Sequence, residues 1–355
     1  MTLLLLMIKK KEMRKYLEDY DGNPVQAIVA YNAGPRRADK LGPNNDFDAL
    51  NELLISQLGS EIDLIEEVSQ YLIQSGGKRV RPLVTLMGAR ALSTENDHHI
   101  PLAASIECLH TATLLHDDVV DGSDARRGQP SANAAFGNSA SILVGDFVYS
   151  RAFQMMVSVG RLDILELLAD TTNQISEGEV WQLKNQHRAD VSEAEYDQVI
   201  TRKTAVLFEA AAACAGLATD QSEEVINALK TYGLELGFAF QLIDDYLDYA
   251  GDSDRLGKNL GDDLADGKCT LPLIKTLEEV SAEDANIITE AITFGDRDRF
   301  SEIAAIVTKT SGLTYTRGRA LSAVKKAKQA LDIVPDSRFK EGLIGLAELS
   351  VSRVN

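Results

Sequence analysis

Helical periodicity constrains this chain more than any other feature of its sequence. From Asp46 onward apolar residues recur every three or four positions, beginning with Leu50, Leu53, Leu54 and Leu58. Such spacing places the apolar side chains on one face of an α-helix, and no alternating pattern typical of a strand competes with it. One helix is predicted from Asp46 to the glycines at 76 and 77, where it ends. Further helices are predicted at about 82–93, 99–122, 139–160, 161–187, 192–218, 222–251, 270–280, 284–294, 297–310, 314–333 and 336–353.

Several of these predicted helices exceed 20 residues and carry a wide apolar face. This is typical of helices buried inside a large bundle rather than laid on a sheet. A chain of 355 residues could form two domains, but one large all-α core can also hold this many residues. We predict an all-α fold with a single domain over 46–355.

The first 45 residues differ from the rest. An apolar run at 3–7 precedes three lysines, whereas a signal peptide carries its positive charge before a longer apolar stretch, and a membrane span needs about 20 apolar residues. Glycine, proline, asparagine and aspartate are frequent from 20 to 46, as in loops. The segment 27–37 resembles a piece of the lytic transglycosylase family but is too short to form that enzyme. We predict an irregular or disordered extension and no transmembrane segment.

The charge balance limits the partners that the chain can bind. Fifty-four acidic against 36 basic residues give a net charge of −18. Nucleic acid binding needs a basic field, so no nucleic acid partner is predicted, and an anionic substrate must be captured locally by clustered cations or by metal. Cys108, Cys214 and Cys269 lie far apart without a CxxC pair, which favours a reduced, cytoplasmic environment.

Two acidic motifs interrupt apolar helices, DDVVD at 117–121 and DDYLD at 244–248. Positions i and i+4 share a helix face, so Asp117 points with Asp121, and Asp244 with Asp248. Paired carboxylates repel unless a divalent cation neutralises them, and hard oxygen ligands that leave room for water and phosphate suit Mg²⁺. One such motif could simply be a solvated helix face, but two copies in apolar helices predict a site for metal and diphosphate. A third copy, DDLAD at 262–266, receives no role.

Short clusters of cations flank the acidic motifs. Arginine offers a planar fork for phosphate oxygens and lysine a point charge, so the clusters indicate receptors for two diphosphates, although each alone could be solvated surface. His110 lies within about 20° of Asp117 on a helical wheel and could bind a second substrate or be a buried core histidine. His116 lies on a different helix face from the paired aspartates and is interpreted as a packing residue. The clustered cations are Lys78, Arg79, Arg81, Arg126, Arg127, Arg202, Lys203, Lys258 and Lys268.

Six ordered motifs together resemble the trans-isoprenyl diphosphate synthase (polyprenyl synthetase) family, most closely its octaprenyl diphosphate synthase branch. They span nearly all of 46–355, which makes the resemblance far more specific than any one motif. The motifs are GGKRVRP (76–82), HTATLLHDDVVDGSDARRG (110–128), NAAFGNSASILVGDF (133–147), KTAVLFEAA (203–211), FQLIDDYLDY (240–249) and GKNLGDDLADGKCTLPL (257–273).

The resemblance implies an all-α bundle around a central cavity, in a homodimeric enzyme that joins an allylic diphosphate to isopentenyl diphosphate. It implies that Mg²⁺ is held by Asp117, Asp121, Asp244 and Asp248, and that the catalytic residues are these four with Asp118, Asp245 and Lys203. The allylic diphosphate would be bound by Arg126, Lys203, Thr204, Gln241, Lys258 and Lys268. Isopentenyl diphosphate would be bound by Lys78, Arg81, His110 and Arg127.

Product length is predicted from what precedes the first motif. A growing chain would extend alongside the helix of Asp117, and from Ser105 to His116 this helix has no Phe, Tyr or Trp to block it. Ala112 and Thr113 would therefore leave the tunnel open. The floor is then expected from the helix with Phe153, Met155 and Met156, unless these residues are plain core, which is their more common role. A long all-trans product is expected, with octaprenyl diphosphate for quinone side chains as the leading candidate.

Two other functions fit part of this sequence. HDD at 116–118 superficially fits a metal phosphohydrolase of the HD type, but that family needs several histidine ligands, only five histidines exist, and it has no place for a second acidic motif. The chain could also be a non-catalytic partner of an active prenyl synthase. Such subunits are expected to have degraded aspartate motifs, whereas both motifs here are intact.

Overall fold

A computed structural model describes residues 43–74, 79–126, 129–251 and 260–352, and these are almost entirely helical. The described helices are α1 (Pro43–Leu58), α2 (Asp63–Gln74), α3 (Val80–Ala91), α4 (His99–Val120), α5 (Ala132–Phe136), α6 (Asn138–Ser158), α7 (Leu162–Asn185), α8 (Glu193–Ile200), α9 (Val206–Ala218), α10 (Glu223–Ala250), α11 (Asp262–Ala265), α12 (Leu271–Leu277), α13 (Ala282–Phe294), α14 (Phe300–Thr308), α15 (Gly312–Ala330) and α16 (Arg338–Val351).

The predicted all-α fold is confirmed, with local differences. The predicted helix from Asp46 to 75 is divided, because residues 59–62 separate α1 from α2. The break begins at Gly59, and glycine is a poor helix former. The predicted helix at 192–218 contains a π-helical segment, Thr201–Ala205, between α8 and α9. Two short strands, β1 (Ala125–Arg126) and β2 (Gln129–Pro130), form an antiparallel pair that the helical pattern did not predict.

Serine side chains fix the starts of several helices. The Ser192 hydroxyl accepts a hydrogen bond from the backbone of Glu195, whose carboxylate accepts one from the Ser192 backbone in return. Ser222 and Ser281 cap α10 and α13 in the simpler form, each accepting one backbone hydrogen bond. These caps satisfy N–H groups that have no partner inside the helix, and so they fix where each helix begins.

The buried apolar residues form two clusters that share one long helix. The larger cluster contains Tyr232 and Leu236 from the first half of α10, and the smaller one contains Ile243 and Leu247 from its second half. The acidic motif at 244–248 therefore lies where the two clusters meet. None of the helices in the described ranges is long and apolar enough to cross a membrane.

The start of the chain bears on the predicted domain boundary. The predicted extension 1–45 lies outside the described residues except for 43–45, which open α1. Asp46 is buried on that helix and accepts hydrogen bonds from Arg90 of α3. The single domain over 46–355 stays a prediction, and Asp46 offers a way to test where it begins.

Candidate active site

A cavity of about 410 Å³, here called the acidic cavity, opens where α4, α7, α10 and the π-helical segment converge. The structure brings most of the predicted site residues to its wall, although they come from distant parts of the sequence. The predicted residues that line it are Arg81, His110, Thr113, Asp117, Asp121, Arg126, Lys203, Thr204, Gln241, Asp244, Asp245 and Lys268.

The first acidic motif presents two carboxylates to this cavity from the last turns of α4. Asp117 Oδ2 lies 3.6 Å from Lys203 Nζ, and Asp121 Oδ2 lies 3.2 Å from Lys268 Nζ. Burial raises the pKa of Asp117; the charge of Lys203 opposes this shift, and the charge of Asp121 adds to it. The pair on one helix face that the spacing predicted is therefore present, with one lysine beside each carboxylate.

Asp118 has a different position from its neighbours. It is buried and accepts a bidentate set of hydrogen bonds from Arg126 of β1, at 2.9, 2.9 and 2.5 Å. Asp118 does not line the acidic cavity, whereas Arg126 does. A paired fork of this kind fixes the guanidinium plane, so the second aspartate of the motif orients an arginine at the cavity wall.

The second acidic motif is held in place by a chain of hydrogen bonds. Tyr196 donates to Asp245 at 2.5 Å, Gln241 donates to Asp245 at 2.7 Å, and Thr204 donates to Gln241 at 3.0 Å. Burial, together with the charge of Asp263, raises the pKa of Asp245 in spite of these bonds. Asp244 lines the cavity, whereas Asp248 is fully buried and is not part of its wall.

Lys268 remains protonated in this setting. Burial by itself lowers its pKa, but the charges of Asp263, Asp121 and Asp266 outweigh burial and raise the pKa of Lys268. Asp263, from the third acidic repeat, also lines the acidic cavity. The repeat at 262–266 received no role from its sequence, and the structure places it beside the other two.

The residues predicted to bind isopentenyl diphosphate are only partly described. Arg81 lines the acidic cavity, with its guanidinium carbon 4.3 Å from the centre of the Phe208 ring, and burial lowers its pKa to about 10. His110 lines both the acidic cavity and a smaller one of about 80 Å³. The other predicted residues, Lys78 and Arg127, lie outside the described residues, as does Lys258 of the allylic set.

A second cavity of about 490 Å³, here called the side cavity, adjoins the first. Leu109, Val120, Ile175, Val180 and Leu183 contribute much of its wall. The two cavities share six wall residues, which lie between them and are here called the neck residues. The neck residues are Thr113, Asp117, Asp121, Glu179, Gln182 and Gln186.

The residues predicted to set product length differ in how close they lie to the two cavities. Thr113 belongs to the neck and lines both cavities. Ala112 and Met156 are fully buried in the core and line neither cavity. Phe153 packs against the core, with its ring 5.3 Å from that of Tyr149, which lines the side cavity. Thr113 therefore has the most direct access to a chain in the side cavity.

Glu179 and Tyr196 were not predicted from the sequence. Glu179 Oε2 lies 2.6 Å from Lys203 Nζ, and burial raises the pKa of Glu179. Nothing in the sequence marks either residue, because each acts on a partner far along the chain.

The carboxylates fit a divalent cation that is shared with a diphosphate. The described residues hold no ready-made cluster of three His, Cys, Asp or Glu side chains around one metal position. Mg²⁺ in phosphate-binding enzymes usually has only one or two carboxylate ligands and keeps waters and phosphate oxygens. Asp117, Asp121 and Asp244 supply such carboxylates to one cavity. A cation there would offset the repulsion that contributes to the raised pKa of Asp117.

The protein-family model described as polyprenyl synthetase matches residues 62–310 of this chain. The octaprenyl diphosphate synthase of Escherichia coli K12 is 48% identical over 309 residues, which cover 87% of this chain and 96% of that protein. The all-trans-nonaprenyl-diphosphate synthase of Rhodobacter capsulatus is 41% identical over 320 residues, covering 90% of this chain and 98% of that protein.

Solved structures agree with these sequence matches. A polyprenyl synthase from Caulobacter crescentus CB15, in complex with calcium and isoprenyl diphosphate, superposes with a TM-score of 0.84 at 40% identity. The superposition covers 87% of this chain and 95% of that one. A decaprenyl diphosphate synthase from Rhodobacter capsulatus gives the same TM-score and identity, covering 88% and 97%.

Proposed function

The chain belongs to the polyprenyl synthetase family, and from this membership we propose that it is an octaprenyl diphosphate synthase. It is a prenyltransferase that condenses an allylic diphosphate, farnesyl diphosphate in our proposal, with successive isopentenyl diphosphate units. The product is a long all-trans polyprenyl diphosphate that serves as a precursor of quinone side chains. The support comes from the 48% identity to octaprenyl diphosphate synthase from E. coli and from the site itself.

The arrangement of the two cavities is the main support for this proposal. Both acidic motifs and several predicted cationic residues line one cavity, and that cavity shares six wall residues with a second one along α4. A diphosphate needs charged ligands, whereas an isoprenoid chain needs an apolar channel. The neck allows both ends of one substrate to be bound at once, with its diphosphate in the acidic cavity and its chain in the side cavity.

The divalent metal is Mg²⁺ in this proposal, held by Asp117, Asp121, Asp244 and Asp248. The hard carboxylate oxygens and the room for water and phosphate favour it. When bound, the metal supplies positive charge to the leaving diphosphate. Asp248 is buried, so its side chain would have to shift toward the cavity to reach the metal.

Cationic side chains would bind the allylic diphosphate together with the metal. Lys203, Lys268 and Arg126 reach the acidic cavity, and their positive charges stabilise negative charge as it develops on the departing diphosphate. Thr204 and Gln241 provide polar contacts from the same wall, and Lys258 belongs to this set by its motif.

Isopentenyl diphosphate would bind beside the allylic diphosphate, at Arg81 and His110 together with Lys78 and Arg127. As the allylic carbon–oxygen bond breaks, the double bond of isopentenyl diphosphate attacks the allylic carbon. Loss of one proton from the new unit restores the double bond, and the released diphosphate accepts that proton. The apolar wall of the side cavity, once covered by a second copy of the chain, would keep water away from the allylic cation that forms in this step.

We also propose a homodimer. Helices α6 and α7 expose large apolar side chains, among them Leu143 at 66%, Val157 at 60% and Val180 at 67% exposure. Exposed apolar patches of this kind are typical of protein interfaces. Val180 and Leu183 also line the side cavity, so a second copy on this face would help to enclose the growing chain. Analytical ultracentrifugation of the purified chain should give the mass of a dimer.

A cytoplasmic location is part of the proposal. The three cysteines are free and buried, as in a protein that needs no disulfide, and this is consistent with a reducing compartment. The test is immunoblotting of fractionated cells, in which the protein should be recovered in the cytosolic fraction.

The function is tested by incubating the purified chain with farnesyl diphosphate, isopentenyl diphosphate and Mg²⁺, then separating the products by chain length. We expect octaprenyl diphosphate as the main product and no turnover after chelation of divalent metal. Turnover by this chain alone would also exclude a non-catalytic partner subunit. No prenyl product would refute the proposed activity, and a product of farnesyl or geranylgeranyl length would refute the proposed chain length alone.

A further inference from the structure

Lys203 lines the acidic cavity and contacts two of the neck residues. It belongs to the π-helical segment Thr201–Ala205, which follows α8 without a break. Its Nζ lies 2.6 Å from Glu179 Oε2 and 3.6 Å from Asp117 Oδ2. π-helical turns inside helices are frequent at functional sites, because the extra residue redirects the side chains around it.

The glycine before Glu179 makes this approach possible. A Cβ atom placed on Gly178 would lie 2.8 Å from Lys203 N and 2.8 Å from Arg202 Cβ, closer than side-chain atoms normally come. α7 therefore packs directly on the backbone of the π-helical segment at this point. Glu179, the next residue on α7, reaches the lysine with a short hydrogen bond.

A lysine has a long stem and a large rotamer entropy, so a free ammonium group would sample many positions. Two carboxylates around Lys203 restrict it, and the shorter contact is the one with Glu179. Asp117 is expected to be engaged by metal in the proposed function. Glu179 is then the protein group left to hold the ammonium group of Lys203 in place.

We propose that Glu179 is a positioning residue that holds Lys203 where it meets the allylic diphosphate. This inference rests on the proposed function, in which Lys203 binds that substrate. Glu179 acts through Lys203 and does not itself touch the reacting atoms. Its loss should weaken use of the allylic substrate and leave use of isopentenyl diphosphate largely unchanged.

The test is a double-mutant cycle on four proteins, the wild type, Glu179→Gln, Lys203→Met and the double variant. Removal of a group that orients a ligand commonly lowers affinity or activity by about 10- to 100-fold. We expect Glu179→Gln to lower kcat/KM for the allylic diphosphate by that factor and to change the KM of isopentenyl diphosphate less than about threefold. In the Lys203→Met protein, adding Glu179→Gln should have almost no further effect, since coupled residues are not additive.

Glu177→Gln is the matched control. It lies on the same helix two residues earlier, is exposed, and pairs with Arg202, the neighbour of Lys203, at 3.9 Å. It should retain wild-type kinetics. Thermal unfolding of all variants should be measured, because a fall in stability with equal effects on both substrates would indicate a structural role and overturn the inference.

Two further outcomes would overturn it. Additive effects in the cycle would show that Glu179 does not act through Lys203. A lower allylic KM in Glu179→Gln would show that its charge repels the diphosphate instead. If the wild type itself forms no prenyl product, the proposed function fails first, so the two failures are distinguishable.

Discussion

Replacing Asp46 by Asn should destabilise the fold in a way that depends on pH. Burial by itself raises the pKa of Asp46, but hydrogen bonds from Arg90 and His99 outweigh it and hold the pKa at about 2, against its ordinary value of 3.8. The two bonds from Arg90 are each 2.7 Å long, and the Asp46 side chain is only 3% exposed. This cluster joins α1 to α3 and α4, the helix of the first acidic motif.

The magnitude follows from the two pKa values. A difference of one pKa unit between the folded and the unfolded chain corresponds to about 1.4 kcal/mol. The charged form of Asp46 therefore contributes about 2.5 kcal/mol to the free energy of unfolding at neutral pH. Because the folded pKa is the lower one, this contribution is present above about pH 4 and is lost as the pH falls toward 2. It should be about half as large near pH 3.

The assay is urea unfolding followed by circular dichroism for the wild type, Asp46→Asn and Asp48→Asn. Asp48 lies on the same helix but is exposed, and its variant should match the wild type within about 0.5 kcal/mol. The gap between wild type and Asp46→Asn should be about 2 to 3 kcal/mol at pH 7 and should narrow below pH 4. A gap below about 1 kcal/mol, or one that does not change with pH, would show that the charged form of Asp46 does not stabilise the fold in this way.

Three further predictions concern the site. Asp117→Ala or Asp244→Ala should lower turnover by several orders of magnitude while circular dichroism stays unchanged, and near-normal turnover in either variant would contradict the metal assignment. Arg127→Ala should raise the KM of isopentenyl diphosphate far more than that of the allylic substrate, and equal effects would contradict the division of the two sites. Thr113→Phe, at the neck, should shorten the product. Ala112→Phe should do the same if the core admits the ring. Unchanged product lengths in both variants would contradict the open-tunnel hypothesis.

The sequence was most informative where a pattern is local. Asp117 and Asp121 share a face because they are four residues apart on one helix, and the structure places both at the acidic cavity. The same rule was less informative for Asp248, which is four residues from Asp244 but fully buried. Periodicity orders the side chains around one helix axis, but the depth of each in the bundle depends on what packs against it.

Contacts between distant segments could not be predicted in this way. Glu179 and Lys203 are 24 positions apart, Tyr196 and Asp245 are 49 apart, and Lys268 and Asp121 are 147 apart. No helical rule relates residues at such separations. The resemblance supplied Lys203 and Lys268 because their motifs are distinctive, whereas Glu179 and Tyr196 lie in stretches without a recognisable signature. The π-helical segment was missed because 192–218 reads as one continuous helix.

The arrangement of charges explains how a strongly acidic chain can bind anionic substrates. The net charge of −18 should repel a diphosphate at long range, but salt screens exposed charges beyond about 10 Å. Within the acidic cavity, Lys203 lies beside Asp117, and Lys268 beside Asp121. Each carboxylate that engages a metal ion leaves its lysine available to phosphate, so metal and diphosphate favour each other's binding. We therefore expect the affinity for the allylic substrate to fall steeply when divalent metal is removed. Added salt should lower this affinity less than it would lower the affinity of a solvent-exposed site.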